Sequence, residues 1–319
     1  MNESLRIGSR GSELALWQAR WVRDRLTDLH PDLTAEIEII KTKGDRVLDA
    51  PLSKIGDKGL FTRDIEHALL HGSIDLAVHS LKDLPTELPE GLALGAVTER
   101  EDVQDVFLPR PGNRVRRLAD LPQGAAVATG SLRRKCQLLH LRPDLRIVDL
   151  RGNLNTRYAK LEASEWEGMV LARAGVVRLG WAERIGETID PSVVLPAVGQ
   201  GALGIEVRAG DGRVLERIRG LHHATTAAAT TAERSLLHEL EGGCQVPIGT
   251  YARIGRDQAG KPVLTLDALV GSLDGTRVVR DALSGSPEES GVLGIALARR
   301  LLSLGAQQIL EQIRSTTHS

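Results

Sequence analysis

The chain has 319 residues, 41% hydrophobic and 26% charged, a balance that excludes a disordered or fibrous protein and suggests two domains or three. Lys and Arg number 41 against 42 Asp and Glu, and 3% of residues are aromatic, so neither a basic surplus nor base-stacking platforms support nucleic-acid binding. No run approaches the ~18 apolar residues of a membrane helix, and Met1-Asn2-Glu3-Ser4 lacks the basic and apolar regions of a signal peptide, which predicts a soluble, cytoplasmic protein.

Leu5-Arg6-Ile7 reads as a strand running into Gly8-Ser9-Arg10-Gly11-Ser12. A helix should follow with Leu14, Trp17, Trp21, Leu26 and Leu29 on one face, near the 3.6-residue period. Glu36 to Ile40 is a second strand, and the polar, glycine-punctuated stretch from Lys41 to Gly59 has the composition of a mobile lid. Phe61, Ile65, Ala68 and Leu69 mark a helix stopped by Gly72. Leu76-Ala77-Val78 is a short buried strand leading into His79-Ser80-Leu81-Lys82-Asp83, and Pro85 and Pro89 force extended chain after it. Strands at Ala125–Ala128, Ile147–Leu150 and Met169–Ala172 follow, the first two leading into helices that carry Leu132, Cys136 and Leu139, then Leu154, Tyr158 and Leu161. This alternation predicts an α/β fold with parallel sheets. Leu195 to Gly201 reads as a crossing. The last third changes character: a helix from about Thr226 to Glu241, strands at Gly249–Ile254, Val263–Val270 and Arg277–Ala282, and a final helix carrying Val292, Ile295, Leu297, Leu301 and Leu304, with a stop or kink at Gly305. That is an α+β module.

Cations collect after the strands. Arg10 follows the first, Lys82 the third, Arg133 and Arg134 the strand ending at Ala128, Arg151 and Arg157 the strand ending at Leu150, and Arg173 and Arg178 the strand ending near Ala172. Ligands of open α/β sheets bind beyond the carboxyl ends of the strands, where helix N-termini also point. Several guanidinium forks on one rim suit a ligand with many carboxylates or phosphates. The competing reading makes many of these arginines solvated surface residues paired with nearby acids. Ser12, Ser80, Thr129 and Ser131 sit beside the cations, and Ser12 and Ser131 serve equally as helix N-caps. Asp83 is either a turn carboxylate paired with Lys82 or a lone acid that stabilises positive charge on a ligand. Cys136 reads as core. Cys244, after Gly242-Gly243, is either a small buried hydrophobe or a loop thiol that acts as nucleophile or attachment point. Two cysteines make no disulfide framework or thiolate zinc site, and the scattered histidines support no metal.

Taken in order, Arg10-Gly11-Ser12 with Leu14 to Ala19, Lys58-Gly59-Leu60-Phe61, Ala77 to Asp83, Ser131-Leu132-Arg133-Arg134, Leu150-Arg151-Gly152-Asn153, Leu195 to Gly201 and Glu241 to Pro247 resemble the porphobilinogen deaminase (hydroxymethylbilane synthase) family over almost the whole chain. The resemblance implies two periplasmic-binding-protein-like lobes with mixed, mostly parallel sheets and a C-terminal α+β domain. Their expected limits are 1–98 with 200–219, then 103–195, then 223–319. It implies a transferase of tetrapyrrole biosynthesis that joins four porphobilinogen units head to tail, each losing ammonia, to give hydroxymethylbilane. It also implies a dipyrromethane cofactor, built from two such units and held by a thioether to Cys244.

By the same match Asp83 is the catalytic carboxylate, while Ser80, Lys82, Thr129, Ser131, Arg133 and Arg134 hold cofactor side chains. Arg10, Ser12, Arg151, Arg157 and Arg178 hold the incoming or terminal pyrrole, and Phe61 and Gln200 line the cleft. Gly130 stands where the family usually has a second hydroxyl residue, and Arg173 where it has a small apolar one. A monomer acting on a small molecule, without nucleic acid, metal or membrane, is expected. The alternative is a cytosolic two-lobed polyanion-binding module without catalysis, which leaves Asp83, Cys244 and the third domain without a task.

Overall fold

The computed structural model describes residues 3–42, 62–240 and 246–317. They form two compact units: the first holds described residues up to Glu101 together with Gly199–Ala228, the second Asp102–Val198 and those from Ala229 onward.

In the first unit β1 (Glu3–Ser9) pairs in parallel with β2 (Leu33–Ile39) and β3 (Leu76–Ser80), and β10 (Leu203–Arg208) lies antiparallel between β3 and β4 (Leu92–Val97), giving the order β2-β1-β3-β10-β4. Leu5, Ile7, Leu76, Ile205 and Val207 meet Val22 and Leu26 of α1 (Glu13–Leu29) and Ile218 of α6 (Gly212–Ile218) in one aliphatic core. The buried face of α1 is Gln18, Ala19, Val22 and Leu26, rotated from the predicted stripe, and Leu29 is 48% exposed. A polar residue turns the helix: Gln18 Nε2 donates to Ser80 Oγ at 2.8 Å, so Gln18 belongs inside and the Trp17–Trp21 side is only half-buried. Helix α2 (Arg63–Leu70) packs Ile65 and Leu69 against Ile74 and Ala77.

The second unit repeats the strand plan. β6 (Ala126–Ala128) is parallel to β7 (Arg146–Val148) and β8 (Gly168–Ala172), while β5 (Asp105–Pro109) runs antiparallel between β8 and β9 (Glu187–Ile189). Alternate residues fill the two faces: Phe107, Val127 and Val170 on one, Val106, Leu108, Ala128, Met169 and Leu171 on the other. Helices α3 (Leu132–Leu141), α4 (Leu154–Glu162) and α5 (Arg173–Arg178) each follow a strand.

The C-terminal part is the antiparallel meander β11 (Ile248–Arg256), β12 (Pro262–Gly271) and β13 (Val278–Gly285), with helices α7 (Ala224–Glu239), α8 (Ser290–Leu301) and α9 (Gln307–Thr317). Helix α8 buries Leu293, Leu297 and Leu301, whereas Val292 and Leu304 are 68% and 58% exposed. Gly294 decides the face: a Cβ there would sit 2.2 Å from the Ala232 carbonyl oxygen, so α8 turns its glycine toward α7. Gly305, at φ 111°, breaks the run between α8 and α9 as predicted. Among the described residues no helix is long and apolar enough to cross a membrane.

Candidate active site

Parallel pairing of β1 with β3 brings their carboxyl ends to one sheet edge, and antiparallel β10 starts at that edge, Leu203 opposite Ser80. Arg10 and Ser12 therefore share an edge with Ser80, Lys82, Asp83 and Gln200. Lys82 and Asp83 lie in a single 3₁₀ turn, Leu81–Asp83, whose first N–H donates to Ala202 O at 3.0 Å. Asp83 is exposed and enters no ion pair among the described residues, so the turn does not spend it on Lys82. Gln200 is buried, and its carbonyl accepts from Arg100 Nε at 2.7 Å. Ser80 Oγ accepts from the Gln18 amide, which leaves its own O–H available to donate. Gln18 was absent from the sequence-derived site because a glutamine inside a helix reads as surface.

Behind this edge His79 Nε2 and Glu206 Oε2 lie 3.0 Å apart, with side chains 5% and 0% exposed. Glu66 of α2 is buried in the same unit, and burial pushes its carboxyl up from the usual range.

In the second unit, β6, β7 and β8 are parallel, so the residues that follow them also meet at one edge. Thr129 Oγ1 accepts from Ser131 N at 3.3 Å, and Ser131 caps α3 by accepting from Arg134 N at 3.4 Å. Arg151 pairs with Asp149 at 3.2 Å, Arg157 Nε donates to Gly152 O at 2.8 Å, and Arg178 ends α5 half-buried. Arg173, set apart in the sequence reading, pairs with Asp102 at 3.3 Å.

The inward face of α3 carries cations. Arg133 and Arg134 are 4% and 5% exposed, and Asp105, fully buried, holds both: Arg133 Nη1 to Oδ2 at 2.7 Å and Arg134 Nη2 to Oδ1 at 2.8 Å. Arg134 Nη1 also donates to Val170 O at 3.1 Å, and Arg133 Nη1 to Leu195 O. Each Nε–H is buried without an acceptor. Burial alone would raise the Asp105 carboxyl, but the charges of Arg133 and Arg134 and their hydrogen bonds outweigh it and hold it well below the carboxylate range. Asp105 escaped the sequence reading because it opens an antiparallel strand 28 residues before Arg133.

Gly130 explains its own identity. A Cβ there would fall 2.4 Å from the Leu150 carbonyl oxygen. Cys136 is fully buried, and burial, then the negative charge of Asp274, pushes its thiol up to about 12. Phe61, Cys244 and the proposed lid from Lys43 onward lie outside the described residues. Among those described, no group of three or more His, Cys, Asp or Glu could hold a metal ion.

Two family models match: "Porphobilinogen deaminase, dipyromethane cofactor binding domain" over residues 5–216 and "Porphobilinogen deaminase, C-terminal domain" over residues 227–303. The porphobilinogen deaminase of Gloeobacter violaceus is 53% identical over 314 residues, covering 98% of this chain and 94% of the relative. Those of Desulforamulus reducens and Chloroherpeton thalassium are 49% and 52% identical, each covering 99% of both chains. Among solved structures, the methionine-binding protein MetQ is similar at a TM-score of 0.41 and 14% identity, over 68% of this chain and 88% of its own. Matches of about half identity along nearly the full length, with both family models in order, establish that this chain belongs to the porphobilinogen deaminase family.

Proposed function

We propose that Asp83 is the catalytic carboxylate of this transferase, which condenses four porphobilinogen units into hydroxymethylbilane with loss of ammonia on a dipyrromethane cofactor. The observation that carries the assignment is an exposed, unspent carboxylate at a strand-end edge otherwise supplied with Arg10 and Lys82. Loss of ammonia leaves positive charge on the pyrrole, and a fixed anion beside the ring nitrogen lowers that charge's energy. A second carboxylate would compete for the arginines.

The cofactor supplies the free pyrrole carbon on which growth starts. Its acetate and propionate arms need donors, and this chain has them. Lys82 and the O–H of Ser80 serve in the first unit, Thr129, Ser131, Arg133 and Arg134 in the second, and the two buried Nε–H groups without acceptors fit such a ligand. Arg10, Ser12, Arg151, Arg157 and Arg178 hold the carboxylates of the incoming or terminal pyrrole, Phe61 and Gln200 line the cleft, and Cys244 carries the thioether. Two family models with a break at residues 217–226 support a separate C-terminal domain, within a three-domain division into 1–98 with 200–219, 103–195 and 223–319. The near-neutral charge and scarce aromatics support a protein that binds no nucleic acid, and membership of the family supports a cytoplasmic monomer.

The test is Asp83→Asn, followed by intact mass and by product formation. The variant keeps the dipyrrole mass increment and loses turnover by roughly 10²–10³, the ~3–4 kcal/mol of one transition-state charge partner. Ordinary turnover would remove Asp83 from the chemistry.

A further inference from the structure

Asp105 takes no part in the chemistry assigned to Asp83, yet it is fully buried against two of the cations expected to bind the cofactor. We propose that Asp105 is a positioning residue that reduces Arg133 and Arg134 to one net positive charge, so that the pair receives a single carboxylate of the dipyrromethane cofactor; this rests on the cofactor reading above.

The hydrogen bonds and charges support it together. One carboxylate oxygen goes to each guanidinium, at 2.7 and 2.8 Å. The carbonyls of Leu195 and Val170 occupy further donors, which fixes both planes. Among the buried nitrogens of the pair, the Nε–H of each arginine is left without an acceptor in the protein. Among the described residues the charges that act on Arg133 are Asp105 and Arg134, and the neighbouring Arg173 is balanced by Asp102 at 3.3 Å. Two buried cations against one buried anion therefore leave one charge to neutralise. A second ligand carboxylate would make the cluster anionic in a place where uncompensated charge is strongly disfavoured.

The experiment follows dipyrrole uptake by the apo-chain, prepared in cells that make no porphobilinogen, after porphobilinogen is added; the readout is intact mass against time. Arg134→Gln keeps a donor for the Val170 carbonyl but makes the cluster neutral, and slows uptake tenfold or more. Adding Asp105→Asn to Arg134→Gln restores the single positive charge and brings uptake back to within about threefold of the unaltered chain, a residual effect of under 1 kcal/mol. Equal rates for Arg134→Gln and the double variant overturn the proposal. Should the double variant fail to fold, Asp105→Glu decides: it keeps the charge, so uptake stays within about threefold, and a tenfold loss overturns the proposal. An unaltered chain that gains no dipyrrole increment refutes the cofactor reading itself, whereas a loaded chain whose variants load indifferently refutes only the role of Asp105.

Discussion

Ser12 and Ser131 show why capping and ligand binding need not compete. Each accepts a backbone N–H at 3.4 Å, from Ala15 and Arg134 respectively. Capping uses a lone pair, and a hydroxyl still has its proton to donate. The residue between Thr129 and Ser131 is under a different constraint. The Leu150 carbonyl leaves no room for a Cβ at Gly130, so a hydroxyl residue here, as the resemblance leads one to expect, would push the loop after β6 away from the strand-end loop that contains Leu150. Gly130→Ser should therefore cost about 1–3 kcal/mol of stability, as overpacking does, and lower the midpoint of urea unfolding. A midpoint unchanged within error would show that the loop yields at no cost.

At the level of elements, the strand-end motifs were legible in the sequence because the short apolar runs Leu76–Val78, Ala125–Ala128 and Met169–Ala172 are buried strands followed at once by polar, helix-opening residues. Four strands were not. β4 is interrupted by Gly95, β9 has three residues and opens on Glu187, β5 opens on Asp105 and ends on Pro109, and β10 carries Glu206 in the middle of an otherwise apolar run. Each acid looks like a surface residue until its partner from a distant segment is known, His79 for Glu206 and the arginine pair for Asp105. The same blindness turned α1 by one face, since Gln18 is inward only because Ser80 is there. The His79–Glu206 pair ties β3 to β10 immediately before the turn that bears Asp83. Glu206→Ala strands a buried imidazole, so a loss of about 1–3 kcal/mol is expected in urea unfolding. If this buried pair steadies the Asp83 turn, kcat should fall more than KM rises. A drop in stability with unchanged kcat would make the pair a fold-level tie alone.

On the scale of the whole molecule, each unit brings its polar residues to the carboxyl edge of its own sheet, and the net charge of −1 hides this arrangement completely. A covalent tether cannot be read from that arrangement, but it can be tested by counting thiols, because the chain has two cysteines. Cys136 is buried with its thiol pushed up to about 12, so at neutral pH it offers almost no thiolate and reacts only when the second unit unfolds. If Cys244 carries the cofactor through a thioether, the native loaded chain shows no fast-reacting thiol, and the denatured loaded chain shows one, that of Cys136. The denatured apo-chain then shows two, and denatured Cys244→Ala shows one with no dipyrrole in its mass. Two titratable thiols in a denatured chain that still carries the dipyrrole mass would place the attachment on another residue, and Cys244 would revert to a loop cysteine.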